Sequence, residues 1–152
     1  MTIYFDMDGT IADLYNVANW LPKLNAADPS PYIEASPLCD MEELTRLCKM
    51  LQHLGYEIGI ISWCSKDATK EYNSAVRKAK RAWLKEHFPI KFNEIHIIKY
   101  GAPKPKFYNE GDILIDDEFN NRFAWELKGG QAVDPAAEEI ATFLRRLLPD
   151  EI

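Results

Sequence analysis

Short apolar runs, each closing on a polar residue, recur along this 152-residue chain with helix-period patterns between them. The main runs cover residues 2–5, 57–61, 95–98 and 113–115, with a further short one at 131–133. Their length and apolar character predict strands buried on both faces. Strands alternating with helices predict an α/β domain built on a parallel, doubly wound sheet. In such a sheet a ligand binds beyond the carboxyl ends of the strands.

The helical patterns are equally legible. Asp40 is positioned as an N-cap, and Glu43 three residues later completes a capping-box pattern. Met41, Leu44, Cys48, Leu51 and Leu54 follow at helical spacing, and Gly55 stands where a left-handed residue ends a helix. A second helix is predicted over 68–87, with Tyr72, Val76, Ala79 and Trp83 on one face. A short helix at 123–127 and a last one at 135–148, with Pro135 in its first turn, complete the set. Residues 11–38 fit neither period well and read as a small insertion, a helix and a loop. The Pro- and Lys-rich stretch 101–111 reads as a loop.

Composition narrows the function classes. The chain is 47% hydrophobic and 28% charged, an ordinary globular balance for one domain over 1–152. A formal charge of −6 disfavours a nucleic-acid backbone as the main partner and leaves room for a basic pocket holding one small anion. No apolar run reaches the ~20 residues that span a bilayer, and the first residues lack a signal-peptide pattern. Cys39, Cys48 and Cys64 form no CxxC pair, and His53, His87 and His96 lack zinc-ligand spacing. The expected location is cytoplasmic, with reduced thiols.

Chemistry gathers at the predicted strand ends. Asp6-Met7-Asp8-Gly9-Thr10 follows the first strand, Ser62 the second, and Asp116-Asp117 the fourth. Gly9 lets the chain turn sharply, so that two carboxylates two residues apart can face one centre. Carboxylates converging at one place repel unless a cation joins them. Hard oxygen ligands suit Mg²⁺. A carboxylate nucleophile forming an aspartyl-phosphate, with a second carboxyl as acid and base, is a consistent use of Asp6 and Asp8. Ser62 and backbone N–H groups beyond it are candidates to bind phosphate oxygens.

These motifs, in this order, resemble the haloacid dehalogenase-like phosphatase superfamily over nearly the whole chain. The resemblance implies a Rossmann-like sheet with a cap inserted after the first strand, at about residues 14–38. It implies that Asp6 is nucleophile and metal ligand, and that Asp8 is the acid/base and binds metal through its backbone carbonyl. Asp116 is then a metal ligand supported by Asp117. The family also uses a lysine to hold nucleophile and phosphate. Lys80-Arg81-Ala82-Trp83-Leu84 resembles the lysine-bearing segment of 5′(3′)-deoxyribonucleotidases, as does the run into Asp112-Ile113-Leu114-Ile115-Asp116-Asp117. Lys80 is therefore the expected residue, although the predicted helix 68–87 places it mid-helix. Lys104 and Lys106 are the rivals. Other branches carry a Lys-Pro in this role, but Lys104 precedes Asp116 too closely for the usual intervening helix. These two lysines are alternatively expected to line the phosphate entrance.

The resemblance implies a Mg²⁺-dependent phosphomonoester hydrolase, with a nucleoside 5′-monophosphate as the favoured small substrate. The insertion is shorter than the helical cap of the deoxyribonucleotidases, which leaves the site open. Tyr15, Trp20, Tyr32 and Trp63 are candidates to stack on a base, against the commoner role of such residues in cores. Two alternatives stand beside this reading: a phosphatase acting on a nucleic-acid end or a sugar phosphate, and a non-catalytic phosphate-binding regulator of the same fold.

Overall fold

The computed structural model describes residues 1–150. Five parallel strands form the central sheet: β1 (Thr2–Phe5), β4 (Glu57–Trp63), β5 (Glu94–Ile98), β6 (Ile113–Ile115) and β7 (Gln131–Val133), in the order β5-β4-β1-β6-β7. The chain builds outward from β1 in one direction, then returns to place β6 on its other side. The strand order thus reverses at β1, where a ligand crevice is expected.

Both faces are covered. Ile3, Phe5, Ile58, Ile60, Ile113 and Ile115 pack on α3 (Met41–His53), the last turns of α4 (Lys70–His87) and α6 (Ile140–Arg146). Tyr4, Ile61 and Leu114 face Trp125 of α5 (Phe119–Leu127) and the β5–β6 connection. Burial on both sides is why these strands read as continuous apolar runs. Among the described residues no helix is long and apolar enough to cross a membrane.

Asp40 caps α3 by accepting from the Glu43 backbone N–H at 3.1 Å. The predicted capping box is only half formed, because the Glu43 carboxylate pairs with Arg46 and Arg145. Thr69 caps α4 through the Tyr72 N–H, so that helix starts at Lys70 rather than at 68. α5 begins four residues earlier than predicted, directly after the acidic strand end. α6 is shorter than the predicted 135–148. Asp134 binds the N–H of Ala136 through its side chain and those of Ala137 and Glu138 through its carbonyl, which holds 134–138 in turns.

The insertion is pinched at its base by two residue pairs, β2 (Ala12–Asp13) against antiparallel β3 (Ser36–Pro37). Between them lie a 3₁₀ turn, Leu14–Asn16, and two short helices, α1 (Trp20–Asn25) and α2 (Ser30–Glu34), where one helix was predicted. The insertion packs on α4: Leu14 and Tyr32 meet Tyr72, Val76 and Ala79. The Tyr72 hydroxyl donates to the Asp28 carbonyl at 2.9 Å, and the buried Trp83 indole donates to Ala35 O at 2.8 Å. The insertion is thereby fixed over the carboxyl end of the sheet.

Candidate active site

Three adjacent strands deliver the polar groups. Asp6 follows β1, Ser62 lies in β4, and Asp116-Asp117 follow β6. Carboxylate oxygens of Asp6, Asp116 and Asp117 lie within 4.8 Å of one another. The Asp8 side chain stands apart from this trio. After β1 the backbone turns at Gly9 with φ 80, and a Cβ there would lie 2.3 Å from Asp117 Oδ2. Glycine is therefore required twice over, for the left-handed backbone and for the approach of Asp117.

Lys104 bridges two of the trio. Its ammonium donates to Asp6 Oδ1 at 2.9 Å and to Asp116 Oδ2 at 2.7 Å, and the side chain is almost fully buried. Sequence reasoning favoured Lys80 for the contact with Asp6, and here the structure differs. No intervening helix is needed to bring Lys104 in. A single 3₁₀ turn, Lys104–Phe107, in the crossover from β5 to β6 places it against Asp6 and Asp116.

Lys80 holds a different carboxylate. Its ammonium donates to Asp8 Oδ2, Ser62 Oγ and the Trp63 carbonyl, each at 2.7 Å. It is buried on the sheet-facing side of α4, well inside that helix. Lys106 does not reach the site: it is exposed, with its ammonium over the Phe107 ring.

Ser62 is fully buried and does not line the cleft, contrary to the expected phosphate-facing hydroxyl. β4 runs on to Trp63, so Ser62 is inside the strand and its oxygen serves Lys80. The hydroxyl that borders the cleft from this segment belongs to Ser65, which is hydrogen-bonded to Tyr32.

Several contributors were not singled out from the sequence. Thr10 links Asp6 and Asp117: its hydroxyl lies 3.1 Å from Asp6 Oδ2 and from Asp117 Oδ1, and accepts from the Asp117 N–H. Asn121 donates to Asp116 Oδ2 at 3.1 Å, and the Glu118 N–H donates to Asp116 Oδ1 at 2.9 Å. Arg122 donates to the Asp116 carbonyl. A start of α5 at Phe119 was the missing signal, since it puts Asn121 in the first turn beside the strand end.

Charge explains how these groups titrate. Burial raises Asp6, but the Lys104 ammonium outweighs it and holds the carboxyl below its ordinary value. Burial pushes Asp8 up, against the opposing pull of Lys80. Asp116 is raised to about 6 by burial and the Asp6 charge, and Asp117 to about 7 by the same two causes. Two ammonium groups face four carboxyl groups, so these cannot all ionise without an excess of negative charge. The trio of hard oxygen donors fits a small divalent cation, which would relieve that excess.

The carboxylates open into a cleft of about 470 Å³ between the sheet end and the insertion. Tyr15 and Trp20 meet edge to face at 5.1 Å in its wall, and Trp63 and Tyr100 lie 5.0 Å apart. Tyr32 also borders the cleft, but it is 4% exposed and belongs mainly to the packing of the insertion on α4. No family model matches this chain, and no curated protein matches it.

Proposed function

We propose that the protein is a Mg²⁺-dependent phosphomonoester hydrolase of the haloacid dehalogenase-like kind, with residues 14–38 as a reduced cap. The observation that carries this reading is the meeting of Asp6, Asp116, Asp117 and Lys104 at the ends of β1 and β6, with Asp8 lining the same cleft. A surface acidic turn has no use for a buried ammonium between its carboxylates, and burying that ion is costly.

Asp6 and Asp116, with Asp117 behind them and the Asp8 backbone carbonyl expected from the resemblance, would hold the Mg²⁺. When bound, the cation supplies charge neutralisation between the carboxylates and the substrate phosphate. Asp6 is kept ionised by Lys104 and is the nucleophile. Its oxygen attacks phosphorus, the ester P–O bond breaks, and the proton on Asp8 passes to the leaving oxygen. Alcohol and an aspartyl-phosphate result. Asp8, now a carboxylate, takes a proton from the water that attacks phosphorus. The acyl P–O bond then breaks, inorganic phosphate leaves and Asp6 is restored. Lys104 donates two N–H groups to Asp6 and Asp116, so its third is free for a phosphate oxygen.

The favoured substrate is a nucleoside 5′-monophosphate. The cleft volume falls within the range of small-molecule sites, and Tyr15, Trp20, Trp63 and Tyr100 supply flat apolar surface for a planar leaving group. Phosphate release from nucleotides, sugar phosphates and an aryl phosphate, with Mg²⁺ and with chelator, tests the reading. Mg²⁺-dependent release ranked with nucleotides first is the expected result. No release from any of them, with Mg²⁺ bound, would remove the small-substrate reading and leave a phosphatase on a macromolecular end or a non-catalytic phosphate-binding role.

A further inference from the structure

We infer that Lys80 is a positioning residue for Asp8, holding the general acid in place and making no contact with the phosphate. The inference rests on the phosphatase reading above and concerns a residue that the chemistry just described leaves without a role.

An ammonium has three N–H bonds and no more. Those of Lys80 are all used, on Asp8 Oδ2, Ser62 Oγ and the Trp63 carbonyl. None is left for a phosphate oxygen. Lys80 is also 1% exposed and does not border the cleft, whereas Asp8 does. Lys104 has the complementary arrangement, with two N–H groups engaged and its side chain at the cleft wall. The two buried lysines therefore divide the work: one serves the nucleophile and phosphate, the other the acid.

The surroundings of Lys80 are rigid. Its stem lies on the face of α4 that carries Val76, Ala79 and Trp83, and the Tyr32 ring centroid is 5.0 Å from its ammonium. Two of its three acceptors belong to β4, a central strand. The third bond thus ties the flexible Asp8 side chain to the sheet. With one Asp8 oxygen occupied by this bond, the other is left to carry the proton toward the leaving group. Holding a general acid within reach of the atom it protonates is a large part of its effect.

A leaving-group comparison tests this, because a general acid matters only where the departing oxygen needs a proton. Release of the leaving group in a single turnover, with enzyme in excess, is measured for a nucleoside 5′-monophosphate and for 2,4-dinitrophenyl phosphate with wild type, Lys80→Met and Asp8→Asn, together with the inhibition constant of inorganic phosphate. For Lys80→Met the expected result is a fall of about 100-fold in the first-step rate on the nucleotide, little change in that step on the dinitrophenyl ester and unchanged phosphate inhibition. Breakdown of the aspartyl-phosphate, where Asp8 is the base for both substrates, slows alike for the two. Asp8→Asn shows the same selective pattern in the first chemical step, and the double variant is no worse than Asp8→Asn alone. If Lys80→Met does not fold by circular dichroism, Lys80→Gln carries the same comparison. Equal losses in the first step on both substrates, or a weakening of phosphate inhibition confined to the Lys80 variants, would overturn the positioning role alone. Wild-type protein that releases phosphate from neither substrate would overturn the phosphatase reading and this inference with it.

Discussion

The Lys104 ammonium lies 2.9 Å from Asp6 Oδ1 and 2.7 Å from Asp116 Oδ2, joining two strand ends through one buried cation. Removing that charge leaves two crowded carboxylates without their shared partner. Lys104→Met is expected to lower kcat/KM by more than about 100-fold and to weaken inhibition by inorganic phosphate. Steady-state kinetics with phosphate as inhibitor checks both effects.

Asp6→Asn keeps the shape of the side chain and removes the carboxylate oxygen proposed as the nucleophile. Phosphate release is expected to fall to background while the far-ultraviolet circular dichroism spectrum stays that of wild type. Wild-type-like turnover in this variant would remove Asp6 from the chemistry.

Trp83 joins α4 to the end of the insertion through its indole N–H and the Ala35 carbonyl, 2.8 Å apart and buried. Trp83→Phe keeps most of the packing and leaves that carbonyl unpartnered, so a loss of about 1–3 kcal/mol is expected. Urea denaturation measures it, and a change within error would mean that water or a shifted donor replaces the indole.

Glu94 is held below its ordinary carboxylate value, chiefly by the hydrogen bond from the Tyr4 hydroxyl at 2.5 Å, with burial opposing and His96 adding to it. A depressed folded value means that the folded state binds this proton less readily than the unfolded one. The contribution to stability is therefore present above the unfolded value and lost as pH falls through the folded one. Glu94 is partly exposed, which limits the gain to about 1 kcal/mol after screening. Glu94→Gln is expected to destabilise at pH 7, with the difference from wild type vanishing only in acid below the depressed folded value, as read by denaturation at pH 7 and in that acid range. An equal difference at both would assign the effect to packing.

The sheet was legible because its strands are buried on both faces, which writes them as unbroken apolar runs such as Ile113-Leu114-Ile115. Asp6 and Asp116 were legible for a related reason: each is the first charged residue after such a run. The lysines were not, because a buried ammonium has the same local signal as a surface one. Lys80 stands in a helix among exposed lysines and arginines, and only the packing of α4 on the sheet turns it inward. Lys104 ranks behind Lys80 in the sequence only because of an assumed intervening helix, which the chain replaces with one 3₁₀ turn. Ser62 was misplaced for lack of two further residues of β4. The insertion resisted reading because its helices, five and six residues long, are too short to show a period.

The aspartyl-phosphate on Asp6 is the central claim, and trapping it is the most direct test. Borohydride is added during turnover of a good substrate with Mg²⁺, which reduces an acyl phosphate to an alcohol, and the N-terminal peptide is read by mass spectrometry. Homoserine is expected at position 6, formed only when substrate and Mg²⁺ are both present. Turnover with the modification on another carboxylate, or with none at Asp6, would contradict it.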